Sequence, residues 1–248
     1  MITYHTSIDH LPNGDNPITD ITSYTSGTAT IYIRVEEEGS TTNCYSFEPL
    51  ELIVEPKPAL PAVADVEVCD DNNPGDGTET FDLTQYNDQV TFGEDGITAT
   101  YYESQADITA ENPIADPANY SNSTPWEQEI WAVATSDFGC ESISSFTLTV
   151  NPLPAPNPEM GTFFACEEIP GQGEFNLNEI INDITGGVPY GVTYYGTLEE
   201  AEAGNAEDQL PVIYTSAPAT IYAVLTDGDT ECTTITPVEL DVLPAPIA

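Results

Sequence analysis

The chain has 248 residues and carries 43 acidic side chains against two basic ones, a formal net charge of −41. Arg34 and Lys57 alone cannot assemble a basic patch, which excludes ordinary nucleic-acid binding and electrostatic docking on an anionic leaflet. Apolar residues reach 40% while charged residues stay at 18%, so a packed core is affordable and wholesale disorder is not expected. No apolar run approaches the ~20 residues of a membrane-crossing helix, and the first residues lack the basic start and apolar stretch of a secretory leader. The 21 Pro, the 17 Gly and the many Thr, Tyr and Val predict short strands joined by frequent turns.

In chain order, the first predicted strands are Ile2–Ser7, Ala29–Val35 and Leu50–Val54, followed by Pro56-Lys57-Pro58. The same series returns twice. Ala99–Ser104 and Val192–Thr197 repeat the first strand, with Thr-Tyr at its centre. Glu129–Val133 and Ala219–Val224 repeat the second, Phe146–Val150 and Val238–Val242 the third. Pro152–Pro156 and Pro244–Pro246 repeat the proline segment. The spacing, about 92–97 residues, is that of an immunoglobulin-like sandwich and exceeds most solenoid units. Phe146, Leu148 and Val150 alternate with Thr147 and Thr149, the period of a half-buried strand. The strands around Trp131 and Tyr222 are apolar on both faces, which predicts a central position. Asp137-Phe138-Gly139 and Asp227-Gly228-Asp229 predict hairpin turns, and Gln105–Ala110 and Leu198–Ala203 predict short helical turns. Proline segments read as semi-rigid spacers. The expected fold is all-β, tandem immunoglobulin-like sandwiches in an elongated array, with repeats at 1–56, 57–154 and 155–248. The first of these has no counterpart of Val63–Tyr86 or Phe163–Ile181, so the chain reads as a piece of a longer protein. The alternative is that a neighbouring chain donates the strands.

Five cysteines fall at repeated positions. Cys69 and Cys166 sit late in an opening strand, while Cys44, Cys140 and Cys232 sit just before a closing strand. If opening and closing strands lie side by side, the expected bonds are intradomain, Cys69–Cys140 and Cys166–Cys232, with Cys44 left unpaired. Five reduced, buried thiols are the alternative. Zinc is disfavoured because there is no CxxC pair and neither histidine lies near two cysteines. Disulfides place the chain in an oxidising compartment.

Catalytic signals are sparse. His5 and His10 have neither helical nor strand-face spacing and read as surface residues, and there is no nucleophile elbow or phosphate-binding glycine loop. The acids single out no carboxylate pair, and no enzymatic activity is expected. One cluster, Asp70-Asp71-Asn72-Asn73-Pro74-Gly75-Asp76-Gly77, offers oxygen ligands on a tight turn. Asp70, Asp71, Asn73 and Asp76 are candidate calcium ligands, with an Asx-rich turn as the plainer alternative. The acidity itself reads as a solvated exterior, screened beyond roughly 8 Å at physiological salt. Asn119-Tyr120-Ser121 and Asn122-Ser123-Thr124 match the glycosylation pattern.

The run Cys69-Asp70-Asp71-Asn72-Asn73, Phe81-Asp82-Leu83-Thr84, Thr100-Tyr101-Tyr102, Gln105-Ala106-Asp107, Asn112-Pro113-Ile114, Gly139-Cys140 and Asn151-Pro152-Leu153-Pro154 resembles the tandem repeats of giant surface adhesins of gliding Bacteroidetes, the SprB type, exported by type IX secretion. The second repeat follows the pattern closely, the third loosely, with Phe175-Asn176-Leu177-Asn178 for the Phe-Asp-Leu-Thr, and the first only over its later part. The resemblance implies a non-enzymatic, extracellular filament at the cell surface, associated with the outer membrane, serving adhesion and gliding motility. Its implied partners are neighbouring repeats of the same chain, the motility or secretion machinery at the outer membrane, and surface polysaccharide. The rival reading is a carbohydrate-binding accessory module of a secreted polysaccharide-degrading enzyme. An exposed row drawn from Tyr101, Tyr102, Tyr194, Tyr195 and Trp126 would favour it.

Overall fold

The computed structural model describes residues 1–38, 44–59 and 63–244. Ala245 and Pro246 of the last proline segment lie outside them. The described residues form two compact units. One consists of Met1–Ala59 with Thr135–Ser142, the other of Leu60–Ala134 with Ile143–Ala248.

In the first unit, β1 (Ile2–His5), β2 (Ala29–Glu36) and β3 (Tyr45–Leu52) make an antiparallel sheet in the order β1-β2-β3. Its interior is unexpectedly polar. His5, expected at the surface, is fully buried. The segment after β1 folds back over it, so that Nδ1 donates to the Asp15 carbonyl at 2.9 Å while Nε2 lies 2.9 Å from Thr3 Oγ1. Arg34 is 3% exposed. Its Nε donates to the Leu11 carbonyl at 2.8 Å, its guanidinium pairs with Glu36, and it lies 4.9 Å from the centre of the Tyr45 ring. A buried cation is tolerable here because the carboxylate, the carbonyl and the ring face each offset part of its lost hydration.

The second unit begins with β4 (Val66–Cys69), β5 (Thr80–Phe81), α1 (Asn87–Thr91), β6 (Ile97–Tyr102), α2 (Gln105–Thr109), β7 (Tyr120–Ser121), β8 (Glu127–Ser136) and β9 (Glu141–Asn151), except for the Thr135–Ser142 tip of the β8–β9 hairpin, which belongs to the first. The main sheet runs β4-β9-β8-β6, and β5-β7 forms a small pair. Phe146, Leu148 and Val150 of β9, each at most 3% exposed, meet Ile130, Ala132 and Ala134 of β8. Phe81, Leu83, Val90 and Tyr120 close the same core. The alternation read from the sequence is therefore the inward face of a sandwich layer. The predicted helical turn at Gln105 forms because the Ser104 hydroxyl accepts from the Asp107 amide at 3.1 Å.

The series then recurs as β10 (Phe163–Ile169), β11 (Gln172–Asn176), α3 (Ile181–Thr185), β12 (Gly191–Tyr195), α4 (Leu198–Ala203), β13 (Ile213–Ser216), β14 (Ala219–Thr226) and β15 (Thr233–Leu243). The order is β12-β14-β15-β10-β11-β13. Residues Phe163–Cys166 of β10 run parallel to β15, whereas Glu167 and Ile169 pair antiparallel with β11 across an irregular register. One strand thus serves both layers, the usual way a sandwich turns a corner. Phe175, Leu177, Ile184, Tyr194, Ile221, Leu225, Val238 and Leu240 fill this second core. A capping box, Thr197 with Glu200, starts α4. The chain is all-β and sandwich-like, and the helices among the described residues are short.

Candidate functional site: a disulfide between successive repeats

Two features converge at the end of β4. The strand lies parallel to the end of β9, with Val66 opposite Leu148 and Cys69 opposite Asn151. The Asp70 amide extends the ladder by donating to the Asn151 carbonyl at 2.9 Å. Against this strand end comes the tip of the β14–β15 hairpin. There Asp227 accepts from the Asp229 and Thr230 amides at 2.9 and 3.0 Å, and its own amide donates to the Cys232 carbonyl. Those amide bonds hold the Asp227 carboxyl below the ordinary carboxylate value. Glu231 takes a left-handed conformation, φ +61°, ahead of Cys232, which is 1% exposed.

Cys69 and Cys232 are bonded, with Cα atoms 5.6 Å apart and a sequence separation of 163. The expected pairs Cys69–Cys140 and Cys166–Cys232 are thereby corrected. Opening and closing strands do lie side by side, as the sequence suggested, but they are parallel. Cys140 precedes Asn151 by eleven residues and Cys232 precedes Leu243 by eleven. At ~3.3 Å per residue each supposed partner lies about 36 Å along the sheet, several times the reach of a disulfide. Cys44, Cys140 and Cys166 are free, Cys44 and Cys166 being exposed.

The candidate calcium loop follows directly. Asp70 is 1% exposed, and one of its oxygens accepts from the Gly75 amide while Oδ1 has no partner. Asp76 accepts from the Thr78 amide at 2.8 Å and from the Asn73 side chain at 2.6 Å, and Asp71 is exposed. Among the described residues no three His, Cys, Asp or Glu side chains come together as a metal site. Asp70, Asp71, Asn73 and Asp76 are not gathered around one point, and the bonds within the loop are those of an Asx-rich turn. Sequence reading missed the two residues that fix the loop from below. Glu79, 7% exposed, accepts from the Asn72 amide at 2.7 Å. Asn122, 4% exposed, donates to the Gly77 and Thr124 carbonyls and accepts from the Glu79 amide. That role consumes the Asn122 amide, so the glycosylation pattern there marks a buried pin. Gly77 is required twice over. Its φ is +67°, and a Cβ would stand 2.5 Å from the Trp126 ring.

The aromatic row does not form a stacking surface. Tyr101, Tyr194 and Tyr195 are at most 6% exposed. The Tyr101 hydroxyl donates to Asn87 and that of Tyr194 to the Leu177 carbonyl, each at 2.9 Å, and burial pushes both phenols up. Tyr102 is half-buried, and Trp126 is exposed at 39%.

The model of the Flavobacterium inter-domain disulphide bond domain matches residues 1–58, 65–154 and 162–246. The chain belongs to this family. The bond from the second matched stretch to the third is the feature that the family's description names, and the family is a disulfide-bearing repeat of extracellular type. No curated protein matches the chain. Among solved structures, an endo-fucoidan hydrolase of glycoside hydrolase family 107 is 12% identical, over 90% of this chain and 34% of that one, with a TM-score of 0.20. The zebrafish RET cadherin-like domains 1 to 4 are 12% identical over 98% and 66%, TM-score 0.23. A Bacteroides ovatus protein of a mixed-linkage glucan utilization locus, solved with a heptasaccharide, is 15% identical over 73% and 43%, TM-score 0.20. The chain spans between a third and two thirds of these structures' lengths. No helix among the described residues is long and apolar enough to cross a membrane.

Proposed function

We propose that this chain is a repeat segment of a long bacterial cell-surface adhesin, in which successive sandwiches are fastened to one another by disulfides so that the filament bears load during surface adhesion and gliding. The observation that carries this reading is the Cys69–Cys232 bond, which ties the end of one repeat's opening strand to the hairpin tip of the next. A bond of this kind adds nothing to a reaction, whereas it does limit how far two neighbours can part. The repeated resemblance to type IX-exported adhesins supports export to the cell surface and attachment at the outer membrane. Its partners would then be neighbouring repeats, the motility or secretion machinery and surface polysaccharide. No enzymatic role is proposed. The accessory-module reading is weakened by the burial of Tyr101, Tyr194 and Tyr195.

The test uses the full-length gene in its host. Replacing Cys69 and Cys232 by alanine is expected to leave the protein exposed to external protease while cells detach at lower shear. Parent-like attachment and gliding after deletion of residues 57–248 would defeat the proposal.

A further inference from the structure

Proteases of the trypsin class cut after Arg or Lys, and the chain contains one of each, Arg34 and Lys57. Lys57 is exposed, but Pro58 follows it. A Lys–Pro bond is a poor substrate for these enzymes, because the ring fixes φ and removes the amide hydrogen beyond the scissile carbonyl. Arg34 is followed by Val35, so Arg34–Val35 is the one bond of the chain open to this chemistry. The fold closes it. Arg34 stands in the central strand of the first sheet, opposite Thr3 of β1 and Phe47 of β3. Both edges of its backbone are thus paired, and neither is left to join a protease cleft as an added strand. The residue is 3% exposed. Its Nε donates to the Leu11 carbonyl at 2.8 Å, and its guanidinium is held by Glu36 and the Tyr45 ring. Gly14 completes the cover. Its φ is +68°, and a Cβ there would stand 3.4 Å from Arg34 Nη1. An enzyme that must draw the arginine into its own specificity pocket cannot reach it here. Residues 1–34 hold no cysteine, so no disulfide within this chain spans the bond.

We propose that Arg34–Val35 is a cryptic cleavage site, intact while the first unit is folded and cut by an extracellular trypsin-class protease once β2 parts from its neighbours and its cover. The step is a hydrolysis. Water adds across the amide, leaving a carboxylate on Arg34 and an amine on Val35, with the protease supplying nucleophile and base. Because only the open form is cut, the rate follows the population of that form. The cut falls inside β2, so β1 and most of β2 are severed from β3 and all that follows. An opened sheet becomes a permanent break, whereas the closed chain is untouched by this class of enzyme.

The probe is trypsin, added to the full chain and, as the unfolded reference, to a synthetic peptide of residues 28–38. Fragments are read by mass spectrometry. The native chain should be cut at least about a hundredfold more slowly than the peptide, should yield only 1–34 and 35–248, and should approach the peptide's rate when warmed through the melting of the first unit. Gly14→Val sets a β-branched side chain at positive φ against the guanidinium. It should raise the native rate by about tenfold or more, while Trp126 and Trp131 emission stays that of a folded second repeat. Arg34→Gln should leave the chain uncut at every temperature. Parent cleavage at the peptide's rate in the cold, any cleavage after Lys57, survival of Arg34–Val35 once the first unit has melted, or a Gly14→Val chain cut no faster than the parent would each overturn the proposal.

Discussion

Breaking the Cys69–Cys232 bond has a calculable effect. When the second repeat is folded, Asn151 is the register partner of Cys69. The bond therefore closes a loop running from Asn151 through the third repeat to Cys232. For roughly 80 residues the chain-entropy relation gives about 4.5 kcal/mol, an upper value, withdrawn from the unfolded third repeat. Against a total of about 5–15 kcal/mol for a small domain, that is a large share. With m near 1–2 kcal/mol/M, the urea midpoint of the third repeat should fall by up to about 2–4.5 M in the Cys69→Ala, Cys232→Ala double variant. Both tryptophans, Trp126 and Trp131, lie in the second repeat. Their fluorescence follows that repeat, while far-ultraviolet circular dichroism follows every sheet. The expected result is a circular dichroism transition that separates from the tryptophan transition and moves to low urea, in the double variant and in the reduced parent alike. Coincident transitions shifted by less than about 0.3 M would refute the reasoning, because the bond would then constrain nothing in the unfolded chain.

Three further outcomes follow from the cores and the loop. Leu148→Ala, at a site 1% exposed, should cost about 2–5 kcal/mol in the second repeat's denaturation curve. Gly77→Ala should cost at least about 1–2 kcal/mol for the left-handed backbone alone, and displacement of the Trp126 ring should shift its emission. The Asp227 carboxyl lies below its ordinary value of 3.8, so its contribution to the hairpin tip is present above that pH and is lost as pH falls through the lowered folded value. The parent should therefore exceed Asp227→Asn in thermal midpoint at neutral pH, and the difference should begin to shrink near pH ~3.8 and close only as pH falls through the lowered folded value.

Period-two alternation in Phe146–Val150, the double-sided apolar strands at Trp131 and Tyr222, and the short helical turn at Leu198–Ala203 were legible because each is a local pattern that tertiary packing reinforced. The disulfide partners were not, since they depend on direction. Side-by-side strands with cysteines at their ends permit bonding within a repeat when antiparallel, and place the thiols at opposite ends when parallel. The sign to look for was that each closing strand is the last of its repeat and each opening strand the first, with a full sandwich between them. His5 reads as a surface residue in the sequence because its cover, the segment at Asp15, has no strand or helix pattern. The loop at Asp70 looked like an ion site because Asn and Asp serve turns and cations alike. Only Asn122, 43 residues beyond Glu79, shows which use prevails.

The parallel ladder and the bond beside it also govern how length is released under tension. A pull on the second repeat enters at Val66 and leaves at Asn151, at opposite ends of one ladder, so its bonds are sheared together and none is peeled alone. Should the ladder give way, the covalent route runs from Cys69 straight to Cys232 and on along β15. The 163-residue separation would otherwise feed out about 540–590 Å of slack. With the bond closed that slack stays locked in, and the contour between Val66 and Leu243 is set by a short β4 segment, one sulfur bridge and a single closing strand.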